Sequence, residues 1–486
     1  MTKKQPPKKK YDRFVGRVKE LSLLKSKLDL DHSTMTAIHG RRRIGKTALV
    51  EHAFKNTRFI KFEGLEGENG AFQRRHFAST LERHSHRAEH GLLDTSDWTK
   101  LLIALSAYIG SEPIVVFFDE FQWMASEKTQ LVSHLKYVWD NYFSTKNNVQ
   151  LIICGSVSSF IVKKVIRSRA LFGRIDSFID LQELNLKEVL GEFFVGKKSS
   201  MKNILNFYLA VGGVPKYLQL FNPTQSFELN MQRLAFNSDG YFYNEVDRLF
   251  VSHLGHNPIF RKVISILAKY SHMTQTQIQS KLKLNSGGRF SEYLEELELA
   301  GFIQSYRSIH RKDARNLVRF RLKDPFLRFY FRFIDPKKSA ISRSSQTESQ
   351  FSSFVSQHSF ETWKGLAFEQ CCRDHHSLIA RKLQFGAVSY ECGAWYHRDD
   401  QKTGAQIDLV FIRKDRVATI CEIKYRKSIP ERAIRKDLLS KVEIIQAEAK
   451  PDATQSVLLC VDKPKNFAAL KEIFDEIITI DFLYDK

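Results

Sequence analysis

The run Gly40-Arg41-Arg42-Arg43-Ile44-Gly45-Lys46-Thr47 constrains this chain more than any other stretch. It follows a short β-rich segment, Ser33 to His39, and leads directly into a helix-like segment, Ala48 to Phe54. Strand, glycine loop and helix in that order leave backbone N–H groups unpaired at a helix N-terminus, where the helix dipole favours an anion. The spacing of Gly40, Gly45, Lys46 and Thr47 fits GxxxxGK[ST]. In that pattern the glycines let the backbone close around phosphates, the lysine reaches the β and γ phosphates, and the threonine hydroxyl goes to magnesium. Gly40, Arg41, Arg42, Arg43, Ile44, Gly45, Lys46, Thr47 and Ala48 are therefore the expected cofactor-binding run, for ATP with Mg2+. An α/β fold around a parallel sheet is the expected setting.

Pro113 to Phe118 is a continuous apolar run, as in a strand buried on both faces, and it ends in Asp119 and Glu120. Asp119 is expected to hold the magnesium through water, and Glu120 to orient or deprotonate the attacking water. The plainer reading is two acids that close a core strand. Val149 to Val157 reads as the next buried strand, and its end sets Ser156 where it could sense the γ-phosphate or simply turn the chain. Arg174 follows a basic helix and is read either as an arginine finger, in cis or in trans, or as a surface arginine.

At 486 residues the chain is too long for one core, so several domains are expected. A net charge of +22 favours polyanions, nucleic acid ahead of a membrane surface. No apolar run reaches the length of a membrane span, and the opening MTKKQPPKKK lacks a signal-peptide core, so a cytoplasmic location is expected. The six cysteines show no CxxC spacing and read as reduced, buried thiols rather than zinc ligands or disulfides.

Further along, Val263–Tyr270, Thr274–Leu282 and Phe290–Ile303 read as three short helices, and the segments around Arg307 and Arg319 alternate like a hairpin. The third helix is acidic through Glu292, Glu295, Glu296 and Glu298, which speaks against major-groove reading by that helix. The basic cluster 307–315 would fall at the hairpin tip, as a phosphate contact or as a solvated turn. Ser-rich residues 336–350 read as a linker.

Beyond the linker, Trp363 to Cys372 is helix-like and carries Glu369. Two strands follow, Ala405–Ile412 with Asp408, and Val417–Tyr425 with Glu422 and Lys424. Alternate strand residues share a face, so Glu422 and Lys424 can converge with Asp408. Carboxylates among apolar residues repel unless a hard divalent cation neutralises them, so Asp408 and Glu422 are the expected metal ligands, for Mg2+ or Mn2+. Such a metal acidifies a bound water, and Lys424 would position the nucleophile.

Phe14-Val-Gly16-Arg17 with Glu20 and Leu21, the P-loop, the FFDEFQW stretch, Cys154-Gly-Ser156, Leu171-Phe-Gly-Arg174 and Gly212-Gly-Val-Pro215 together resemble the archaeal-type ATPases of the STAND and AAA+ group. The resemblance implies that Gly16, Arg17 and Pro215 lie near ATP. The middle resembles a winged helix. Asp408 with Glu422-Ile-Lys424 resembles the PD-(D/E)XK nuclease core, with Ile407 where that motif has proline and Glu369 as the first-helix acid. The organisation this implies is a basic tail at 1–11, an ATPase core at 12–185 and a helical lid at 186–255. A winged helix at 256–335, a linker at 336–358 and a nuclease-like domain at 359–486 complete it. The function implied is ATP-controlled, metal-dependent cleavage of nucleic acid, double-stranded DNA first. The alternative is an ATP-dependent switch with an inactive nuclease fold. A homo-oligomer is compatible with either.

Overall fold

The computed structural model describes residues 14–85, 93–125, 130–156, 160–196, 199–254, 257–270, 272–284, 289–307, 318–344, 351–398 and 404–483. The basic tail and most of the 307–315 cluster lie outside the described residues.

The first sheet consists of β1 (Thr34–His39), β2 (Phe59–Glu63), β3 (Ile114–Asp119), β4 (Val149–Gly155) and β5 (Ser177–Asp180). Their order is β2-β3-β4-β1-β5 and every pairing is parallel. β1, β3 and β4 are buried throughout, which is why they read as unbroken apolar runs. Successive side chains feed two cores. Val116 and Phe118 join Trp98 and Leu102 on one face, while Val115 and Phe117 join Leu49 and Val50 on the other. This packing fixes the ends of β1, β3 and β4 next to one another, where the polar site residues emerge.

After β5 the chain enters helices, among them Met201–Val211 and Pro215–Leu218. The Gly212-Gly213 pair is required sterically. Gly212 has φ of 74°, and a Cβ on Gly213 would fall 1.7 Å from Leu184 O. The helical segment thus touches the exit of the first sheet at bare backbone, where Leu184 N donates to Gly213 O at 3.0 Å.

The middle segment runs as helix Pro258–Lys269, strand β6 (Met273–Thr274), helices Gln275–Leu282 and Arg289–Leu299, then β7 (Ile303–Arg307) and β8 (Val318–Leu322). The three strands form an antiparallel sheet in the order β6-β8-β7. Glu295 of the Arg289–Leu299 helix pairs with Lys163 at 3.2 Å and Arg167 at 3.3 Å, so part of the acidity of that helix is turned toward the ATPase segment.

The stretch read as a linker is partly helical, at Lys338–Arg343 and Phe351–Phe354. Ile341 and Phe351 are buried, and isolated apolar residues in a serine-rich run are enough to dock it.

The C-terminal sheet contains β9 (Tyr390–Arg398), β10 (Gly404–Arg413), β11 (Val417–Lys424), β12 (Ala453–Cys460) and β13 (Glu476–Thr479). Its order is β13-β12-β11-β10-β9, antiparallel from β9 to β11 and parallel from β11 to β13. Helix Gln357–Asp374 packs on one face. Helix Glu431–Ala449 packs on the other, through Ile434 and Leu438 against Ile420 and Val410. One buried cluster runs through the helical segment, the middle segment and the C-terminal sheet, from Leu184 to Ile480. The six cysteines are free, five of them buried and Cys392 half-buried. Among the described residues no helix is long and apolar enough to cross a membrane.

Candidate functional site

The loop after β1 closes on itself. Gly40 and Gly45 adopt φ of 145° and 91°, and at Gly45 a Cβ would meet only open space. Lys46, the first residue of helix Lys46–Ala53, donates through Nζ to Gly40 O and Arg41 O, each at 2.9 Å. Burial lowers its pKa. Thr47 Oγ1 donates to Asp119 Oδ2 at 2.8 Å, which brings the two expected magnesium ligands together. A glycine hollow at a helix N-terminus, a buried lysine and a hydroxyl–carboxylate pair are the donor set that a magnesium-bound triphosphate needs. Ala48 follows on the same helix, and Ile44 O accepts from Arg17 Nη2 at 3.3 Å.

Glu120 lies beyond β3 with φ of 47°, gripped by Gln122 Nε2 and by Ser156 Oγ at 2.7 Å. Ser156 is fully buried and also accepts from Arg42 Nε at 3.3 Å. Its hydroxyl is thus committed to Glu120 in this state. Arg174 is held by Asp140 through two bonds of 2.6 and 2.8 Å. Gly16 N donates to Glu192 at 3.1 Å and Arg17 N to Glu188 at 3.0 Å. Pro215 opens its helix directly after the Gly212-Gly213 contact.

The P-loop arginines are wired outward. Arg41 is buried and pairs with Glu183 at 2.7 Å and with Asp324, which caps the helix Pro325–Phe329. Arg43 pairs with buried Glu245, which also accepts from Tyr217 at 2.7 Å. Two further partners escaped the sequence reading. Gln122 orients Glu120, and Lys61 of β2 stands 3.0 Å from Asp119. Lys61 lies beside Asp119, the expected magnesium ligand, because β2 pairs with β3 in register, Glu63 opposite Asp119. Only the strand order could have revealed that.

In the C-terminal sheet the register of β10 against β9 shifts between Ile407 and Val410, a bulge that contains Asp408. Bulges re-aim side chains. Asp408 Oδ2 accepts from Ile423 N at 3.3 Å, and Lys424 stands 3.9 Å from Asp408 and 2.9 Å from Glu422. Glu369, on helix Gln357–Asp374, is pushed up to about 7 by burial and then by the Asp408 charge. Burial followed by Glu422 also raises Asp408. The four residues read from the sequence are therefore electrostatically one group.

Lys441 was not foreseen. It rises from helix Glu431–Ala449, is buried, and pairs with fully buried Glu422 and with Asp437 at 2.7 Å. Burial opposes its charge, but the two carboxylates more than offset that and raise its pKa. Among the described residues no three His, Cys, Asp or Glu are arranged to hold a metal ion. The i, i+4 spacing of Asp437 and Lys441 was visible but looks like any exposed helix pair.

A parallel sheet in which β1 delivers a glycine loop and helix beside the carboxylate end of β3 defines a P-loop nucleotide site. Comparison with known proteins agrees. Residues 14–221 match a family of ATPase domains predominantly from Archaea. Residues 330–438, which include Glu369, Asp408, Glu422 and Lys424, match a family described as Archaea bacterial proteins of unknown function. Over residues 14–221 the chain is therefore similar to ATPase domains, and the glycine loop after β1 falls within the matched residues. An uncharacterized protein of Methanocaldococcus jannaschii is 26% identical over 437 residues, covering 89% of this chain and 92% of its own. The Walker-type ATPase of Pyrococcus abyssi is 17% identical over 66% of this chain and 96% of its own, with a TM-score of 0.49. The ORC2 protein of Aeropyrum pernix, solved in ADPNP–ADP complexes, is 15% identical over 68% of this chain and 98% of its own, with a TM-score of 0.42.

Proposed function

We propose that ATP and Mg2+ bound at Gly40–Thr47 and Asp119 control a metal-dependent nuclease-like domain, built on Asp408, Glu422, Lys424 and Glu369, that acts on nucleic acid, double-stranded DNA first. Glu120 would activate the hydrolytic water, with Gln122 and Ser156 setting its orientation. The middle segment reads as a winged helix, because a helix, the short strand β6, two further helices and the β7–β8 hairpin follow one another in that order. The observation that carries the nuclease reading is the bulge that aims Asp408 at the Glu422–Lys424 strand beneath Glu369. Mg2+ or Mn2+ on Asp408 and Glu422 would supply an acidified water, while Lys424 holds the nucleophile and protonated Glu369 can return a proton. The net charge of +22 suits a polyanionic substrate.

A second reading rests on Lys441. A lysine already neutralising Glu422 favours a fold that binds nucleic acid without cutting it, with ATP setting the conformation. The decisive measurement is nicking of plasmid DNA in Mg2+ or Mn2+, with and without ATP, by the full chain and by Lys46→Ala and Asp408→Ala. Cleavage that needs Asp408 and responds to Lys46 supports the first reading. Salt-sensitive binding with no cleavage under any condition leaves the second.

A further inference from the structure

A large hollow lies beside the P-loop, apart from Lys46 and Thr47. It holds about 820 Å³ and lies where the first sheet, the middle segment and the C-terminal domain meet. Its wall includes Gly40 and Arg41 but none of Gly45, Lys46 and Thr47, so it is separate from the place where the ATP phosphates bind. We propose that this hollow is a binding site for a second ligand, a phosphate-bearing small anion of nucleotide size.

Charge is the first argument. Seven lysine and arginine side chains line the hollow against five aspartates and glutamates. The second is that several of these cations are incompletely bonded. Enclosed Nε atoms of Arg41, Arg321 and Arg328, and Nη2 of Arg41, have no hydrogen-bond partner among the described residues. A guanidinium cannot escape burial by losing its proton, so an anion in the hollow would offset charge that the protein leaves incompletely bonded.

Arg328 makes the case sharpest. Burial works against its charge, and the carboxylates nearest to it are engaged elsewhere. Asp374 Oδ1 accepts from Arg321 at 2.8 Å and from Gln370 at 2.9 Å. Asp324 accepts from Arg41 and from Leu327 N. Guanidinium forks bind phosphate oxygens in pairs, and several around one hollow suit more than one phosphate. The volume exceeds what a single inorganic ion fills and lies in the range of small-molecule sites. Arg381 and His376 extend the wall on the C-terminal side. An occupant would therefore touch the P-loop through Arg41 and the helix that carries Glu369 through Arg373.

The test is calorimetric titration of the full chain, with its P-loop first saturated with Mg2+ and ADP. The probes are inorganic pyrophosphate, adenosine 3′,5′-bisphosphate and, as a carboxylate control, citrate. Saturable binding of a phosphate probe is expected, at least tenfold weaker in Arg328→Met and in Arg381→Gln, while ADP binding is unchanged in both variants. Lys46→Ala is expected to keep the phosphate probe. Arg381 is exposed, so its variant decides the matter should Arg328→Met fail to fold. The proposal is overturned by binding of neither phosphate probe, by citrate binding as tightly, by equal binding in the arginine variants, or by loss of binding in Lys46→Ala.

Discussion

Lys46 and Lys441 are both buried ammonium groups, yet one is held by the loop carbonyls of Gly40 and Arg41 and the other by the carboxylates of Glu422 and Asp437. Lys46→Ala removes the side-chain charge that a P-loop lysine directs at the β and γ phosphates. ATP hydrolysis should fall by about 100-fold or more, measured as phosphate release at saturating ATP. Lys441→Met removes the buried one of the two ammonium partners of Glu422 and leaves Lys424 at 2.9 Å, which should cost about 1–3 kcal/mol in metal-free buffer. If Glu422 is a metal ligand, Mn2+ should raise the melting temperature of that variant more than that of the parent. Equal shifts would argue against a metal there. His375 supplies the pH dependence. Its Nε2 accepts from Leu186 N at 3.0 Å and its Nδ1 bonds Cys371 O at 2.8 Å, so the imidazole is neutral, and burial lowers its pKa. A depressed histidine contributes stability that is complete above its unfolded pKa of about 6.5 and is lost as pH falls toward the folded value. The difference in melting temperature between the parent and His375→Gln should therefore shrink as pH falls below about 6.5. A difference that stays constant with pH would remove His375 from this role.

Elements that announce themselves locally were legible, because a strand buried on both faces and a glycine loop each need only a few adjacent residues. β1, β3 and the pairing of Thr47 with Asp119 followed from such runs. What escaped depends on partners far apart in the chain. Arg41 finds Asp324 across 283 positions, and Lys61 reaches Asp119 only through strand order. Asp408, Glu422 and Lys424 were named correctly as neighbours. The alternation argument, however, had no way to include the bulge that turns Asp408, because register against β9 is set by tertiary packing. Gly212-Gly213 separates helix Met201–Val211 from helix Pro215–Leu218, and the structure also uses the pair as a backbone-to-backbone contact. Gly213→Ala should force the helical segment off Leu184 and cost at least about 1–3 kcal/mol by urea unfolding, with ATP affinity reduced as well. An unchanged midpoint would mean that this contact is dispensable.

At the scale of the whole molecule, the boundaries drawn from composition do not coincide with the boundaries of the core. The first sheet keeps its own two clusters, but a single cluster joins the helical segment, the middle segment and the C-terminal sheet. Phe329, from the middle stretch, meets Phe227 and Phe236 of the helical stretch and Trp363 of the C-terminal one edge-on, which joins three of the stretches that the sequence divides. Residues 186–480 should therefore unfold as one cooperative block in scanning calorimetry. Separate transitions for the middle and C-terminal segments would contradict that.

The shared core also bears on inheritance. A chain assembled from self-sufficient modules can lose or exchange one and leave the rest intact. Here a deletion ending at 335 or beginning at 359 would strip the cover from Phe329, Phe333, Phe360 and Trp363, leaving a broad aromatic face open to water and prone to aggregation. Lineages that carry this arrangement would therefore be expected to keep the helical, middle and C-terminal segments together, with sequence drift confined to their surfaces.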